Sequence, residues 1–99
     1  MKPLKIIGCD YEVLEVPIVS REEYKLGEVD HVGQNIKIAQ ELKKQRKAEV
    51  LLHEIIHCLL FAFGESEAHN DERLISSLAG GFIQTIRDNP DLLLLLSTL

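Results

Sequence analysis

The stretch VLLHEIIHCLLFAFG, Val50 to Gly64, is the most apolar helix-like run in a chain of 99 residues, yet it holds two of the four histidines and a glutamate. Leu52, Ile55, Ile56, Leu59, Leu60 and Phe63 recur at helical spacing, Ala48 and Leu51 widen the stripe, and Gly64 is placed to end it. The pattern predicts a helix buried nearly all round. Polar groups buried there without partners cost roughly 2–7 kcal/mol each, so His53, Glu54 and His57 need something to compensate them.

Beyond Gly64 the polar run Glu65 to His69 reads as a loop, after which a second helix is expected with Asn70 or Asp71 as its N-cap. Leu74, Ile75, Leu78, Ala79, Phe82, Ile83 and Ile86 give that helix its apolar face, and Asp88-Asn89-Pro90 should stop it. Gly80-Gly81 inside it reads as room for close packing against the first helix. The tail, Leu92 to Leu96, is far short of the roughly 20 residues a membrane span requires. It is expected to dock on the core or to form an interface.

Upstream of the first helix the period changes. Leu4 to Ile7 and Tyr11 to Val16 carry strand signals around a Gly8-Cys9-Asp10 turn. Ser20-Arg21-Glu22-Glu23 matches a capping box and predicts one short helical turn before Gly27. Leu26 to Asp30 and Asn35 to Ala39 read as two more strands joined through His31 to Gln34 as a hairpin. The expected fold class is therefore α+β: a small, mostly antiparallel sheet packed on the central helix and a second C-terminal helix, with residues 1–99 as one domain. The aromatic residues Tyr11, Phe61, Phe63 and Phe82 are expected in the core or against the sheet, and Cys58 as a small core hydrophobe.

Composition narrows the functions. At 45% hydrophobic residues the chain can build a core, and a net charge of -5 opposes nucleic-acid binding, which needs clustered positive charge. The basic run Lys43-Lys44-Gln45-Arg46-Lys47 reads as a solvated helix start. Two cysteines cannot staple a small secreted domain, and MKPLKIIGCDYEV lacks the apolar core of a signal peptide. A cytoplasmic setting is expected, with neither nucleic acid nor membrane as partner.

His53, Glu54 and His57 form H-E-x-x-H. Residues four apart share a helix face, so two imidazoles can converge on one cation, with zinc the expected ion at one per chain. Glu54 is turned by about 100° from His53 and can take a proton instead of binding the metal. A third ligand is needed, and Glu72, in the first turn of the second helix, is the first candidate. His69, Asp71 and Glu67 compete for that place, and Cys9 is a remote alternative.

The HEIIH helix, followed by Glu72-x-x-Ile75 on a second helix and preceded by a small sheet, resembles the zincin metallopeptidases. Within them it is most similar to the glutamate-ligand gluzincins, in particular minimal phage-type and ImmA/IrrE-like proteins. The likeness spans about Lys5 to Pro90, and only the part from His53 to Glu72 is diagnostic. It implies a zinc site of His53, His57 and Glu72 with Glu54 as general base. Leu60 and Phe63 stand where metzincins carry a glycine and a third histidine, which removes that subgroup. Ser76 stands where thermolysin-like enzymes carry an aspartate, and no further domain supplies an oxyanion partner, for which His31, His69, Tyr24 and Arg73 are the polar candidates.

The expected activity is thus zinc-dependent peptide hydrolysis. Asn35, Ile36, Lys37 and Ile38 are taken as an exposed edge strand able to bind a peptide or protein substrate by strand addition. The alternative is a non-catalytic, zinc-stabilised module that regulates or binds a protein. A homo-oligomer through the leucine tail is the further partner to be tested.

Overall fold

A computed structural model describes residues 2–99. Its elements follow in the order β1 (Leu4–Ile6), β2 (Cys9–Val16), β3 (Gly27–Asp30), β4 (Asn35–Ala39), α1 (Lys44–Ala62), α2 (Ser66–His69), α3 (Glu72–Asp88) and α4 (Leu92–Thr98). The α+β class holds. The sheet is mixed, in the order β1-β2-β4-β3. Two of its pairings are antiparallel, and β2 runs parallel to β4 with Glu12 opposite Asn35 and Val16 opposite Ala39.

That order corrects the expected edge. β4 lies inside the sheet, hydrogen-bonded on one side to β2 and on the other to β3, so Asn35, Ile36, Lys37 and Ile38 have no free backbone edge to offer. The reason is burial. Ile36 is fully buried and Ile38 and Ala39 nearly so, which suits an interior strand rather than an edge. β3 is the edge strand on that side instead.

Three layers result, because α1 is apolar on two flanks. One flank packs on the sheet, where Val50 and Cys58 join Ile6, Tyr11, Val13, Ile36 and Ile38. The other, Ile56 with Leu52 and Leu60, packs on Ile75 and Ala79 of α3. The predicted α3 cap forms, with Asp71 Oδ1 accepting from the Leu74 N–H at 3.1 Å, and the helix runs through Asp88. Among the described residues no helix is long and apolar enough to cross a membrane.

Several local expectations fail for identifiable reasons. The capping box at Ser20 does not form: Ser20 Oγ accepts instead from the Glu22 N–H, two residues on, at 3.3 Å, Glu23 turns to Lys25 at 3.0 Å, and no helical turn follows. The loop from Glu65 to His69 contains the short helix α2. Gly80 and Gly81 are not a close-packing site, since a methyl at Gly80 would meet only Glu49 Oε1 at 3.9 Å and one at Gly81 nothing within 4 Å. Phe61, Phe63 and Phe82 are exposed, and the leucine tail forms a helix whose Leu93 to Leu96 reach no core.

The first hairpin turns at Ile7-Gly8 and not at Gly8-Cys9-Asp10, with Ile6 opposite Cys9. Both loop residues have positive φ, 46° and 79°, as a type I′ turn requires. A β-branched residue is strained there, whereas asparagine adopts it readily. Ile7 is exposed, so Ile7→Asn removes strain without removing packing. It should stabilise the protein by about 1 kcal/mol in chemical denaturation; an unchanged or lower midpoint would contradict the strained turn.

Candidate functional site

His53 and His57 sit on the strip of α1 left between its sheet-facing and α3-facing flanks, which is why the most apolar helix carries them. Delivery of the third group depends on how α1 ends. Gly64 takes positive φ of 72°, the Glu65 N–H bonds the Leu60 carbonyl at 2.9 Å and the Gly64 N–H bonds that of Phe61 at 3.1 Å. This is a Schellman closure. It turns the chain back over the helix end, so that α2 carries His69 to His57 and the first turn of α3 carries Glu72 to both histidines.

Glu72 meets the two imidazoles with one oxygen each: His53 Nε2 lies 2.9 Å from Oε2 and His57 Nε2 lies 2.9 Å from Oε1. One ligand atom from each of the three residues lies within 4.8 Å of the others. At Zn–N and Zn–O lengths of about 2.0–2.2 Å, tetrahedral ligands stand roughly 3.3 Å apart. The set therefore fits a single divalent cation, and the group could hold one. Of the sequence candidates, Glu72 is the one that joins the histidine pair.

The rival candidates fall elsewhere. Asp71 is engaged as the α3 cap, and Glu67 and Cys9 are exposed outside the cluster. His69 takes a different place, with its Nδ1 3.1 Å from Nδ1 of His57. Ser76, one turn after Glu72, approaches His53 Nδ1 at 3.4 Å. Each histidine thus has a partner for its second ring nitrogen, the arrangement that fixes tautomer and orientation in metal-binding imidazoles. Sequence reasoning offered His69 only as a rival ligand and as one of several oxyanion candidates, and Ser76 only as a comparison. The spacing of Ser76 from Glu72 carried a usable signal; His69 depends on a loop path that no periodicity encodes.

Glu54 is 6% exposed and lies beneath β3, where Gly27 crosses it. A methyl on Gly27 would stand 2.6 Å from Val50 Cγ1 and 3.2 Å from Glu54 Cγ. Burial first, and then the charge of Glu72, push the Glu54 carboxyl up from 4.5 to about 7. Burial also lowers His57. An open cavity of about 550 Å³ brings the groups to one wall, lined by Glu54, the His53-His57-Glu72 cluster, β3 and His69. His31 also lines it, packed against Phe61 with ring centroids 4.0 Å apart and the rings tilted by 57°.

The raised carboxyl has a stability consequence. The unfolded chain ionises Glu54 near 4.5 and the folded chain near 7, so this residue costs nothing below pH 4.5 and its penalty grows until pH passes about 7. In chelator-treated protein Glu54→Gln should therefore be the more stable form at pH 8, by on the order of 3 kcal/mol at most, and should match the parent at pH 4. Equal melting temperatures at pH 8 would refute this. Compared with protein-family models, with characterised proteins and with solved structures, the chain matches none, so its function must be argued from this geometry.

Proposed function

We propose that the protein is a zinc-dependent peptidase of the zincin type, gluzincin-like in its ligand set. The observation that carries the reading is the meeting of His53, His57 and Glu72 on one cavity wall with a buried glutamate beside them. Two imidazoles and a carboxylate are the protein ligands of a catalytic zinc site, which leaves room for water or substrate. A cation bound there supplies Lewis acidity to a peptide carbonyl and makes water a better nucleophile near neutral pH.

The chain's own residues have distinct tasks. Glu54, poised near neutrality in a water-poor position, takes the proton of the attacking water and returns it to the leaving amine. With Nε2 of His57 used as a ligand, its proton resides on Nδ1 and is donated to His69; Ser76 receives the Nδ1–H of His53 in the same way. The free edge of β3 replaces β4 as the substrate cradle. It runs along the cavity and can pair with an extended peptide by backbone hydrogen bonds.

A second reading keeps the cation and drops the chemistry: a zinc-stabilised module that binds or regulates a protein. The uncovered apolar surface of α3 and α4 favours it. Turnover separates the two. Purified protein should contain about one zinc per chain, and Glu54→Gln should keep that zinc while losing cleavage of a denatured protein by at least about 100-fold. Zinc without chelator-sensitive cleavage in the parent protein would favour the module.

The ligand assignment is tested by metal titration. His53→Ala, His57→Ala and Glu72→Ala should each abolish stoichiometric binding, whereas His69→Ala should retain one site weakened about 10–100-fold. Retention of tight binding by a folded Glu72→Ala variant would remove Glu72 from the site.

A further inference from the structure

We infer that the exposed flank of α3, together with α4, is the interface of a homodimer. This does not depend on the peptidase reading. Helix α3 has an apolar arc about twice as wide as the part α1 covers: Ile75 and Ala79 are buried, while Leu74, Leu78 and Phe82 stand beside them in the open. After only Asn89, Pro90 and Asp91 the chain enters α4, whose Leu93 to Leu96 are 52–66% exposed.

Three hydroxyls on these helices do not claim this surface for water. Thr85 donates its hydroxyl to the Gly81 carbonyl at 2.8 Å. Ser97 and Thr98 donate theirs to the Leu94 carbonyl at 2.9 and 3.0 Å. These three hydroxyls are satisfied on their own helices. A seven-residue helix is too short to be stable alone in water, and one that is apolar all round belongs in a buried place.

A second copy is the occupant that this surface fits. Leu74, Leu78 and Phe82 form a ridge at i, i+4, i+8, and Ser77, Gly81 and Thr85 form a low strip directly beside it at the same spacing. Ridge and groove on one surface make it self-complementary, as a two-fold interface requires. A foreign partner would need only one of the two. The amount of surface agrees as well: seven large apolar side chains, Leu74, Leu78, Phe82 and Leu93 to Leu96, stand 38–66% exposed, enough to supply the apolar centre of an interface of about 800 Å² per partner. A membrane surface is a poorer match, because Asp88 and Asp91 precede α4 and no basic residue lies between Arg87 and Leu99.

Gly81 provides a test that spares the fold. Nothing lies within 4 Å of a methyl built there, and leucine is the better helix former, so Gly81→Leu fills the groove and leaves the protomer intact. Sedimentation velocity of the full chain should give twice 11.2 kDa. Gly81→Leu and Leu78→Glu, each with unchanged circular dichroism, should weaken self-association at least roughly tenfold. Three results would overturn the proposal: a monomer at every concentration, a dimer indifferent to both substitutions, or co-sedimentation of the parent with phosphatidylcholine–phosphatidylserine vesicles in place of a dimer.

Discussion

Helix α1 is wanted by two neighbours at once, and the molecule follows from that demand. Its Val50 and Cys58 are needed by the sheet and its Ile56 by α3, so it becomes the middle layer of three. Only the strip between those flanks is left for polar side chains, and it opens on the gap between β3 and α3. A cavity there is the natural consequence of packing two unlike surfaces on one cylinder. The polar residues of the H-E-x-x-H run therefore converge where solvent can reach them, although the helix is the most apolar in the chain.

How tightly the gap is drawn depends on small features at its rim. Gly27 allows β3 to lie against Glu54 without a Cβ between them. The Schellman closure at Gly64 reverses the chain within a few residues. Without the first, Glu54 would keep more of its water and a more ordinary acidity; without the second, Glu72 would begin its helix too far from the histidines to meet both. Backbone geometry thus sets the electrostatics of the site before any ligand is considered.

Much of this was legible in the chain. The period of 3.6 from Leu52 to Phe63 marks α1, Asn70-Asp71 marks the start of α3, and residue type and spacing single out His53, Glu54 and His57 and put Glu72 ahead of His69, Asp71 and Glu67. Alternation in Asn35-Ile36-Lys37-Ile38-Ala39 marks a strand, yet it says nothing about which strands lie beside it, and so the parallel pairing of β2 with β4 was invisible. The unmade box at Ser20 shows a related limit, since a local signal yields when Lys25 offers Glu23 a better partner. His69 could not be placed, because its position depends on a loop path and not on a period. Exposure of Phe82 and the leucine tail is equally beyond a single-chain pattern, which registers that a surface is apolar but not what covers it.

The two carboxylates are the remaining point of tension. Glu54 and Glu72 carry like charge into one cavity; burial makes ionisation of Glu54 harder, and the charge of Glu72 adds to the difficulty. Lys25 offsets part of this, but its ammonium is shared with Glu23 and Glu28, and Arg46 is paired with Glu49. A divalent cation between His53, His57 and Glu72 reverses the field at Glu54, favouring its charged form where Glu72 alone opposes it. Destabilising in the metal-free chain and compensated in the loaded one, the arrangement makes sense as a site shaped around positive charge rather than as a core that tolerates polar residues.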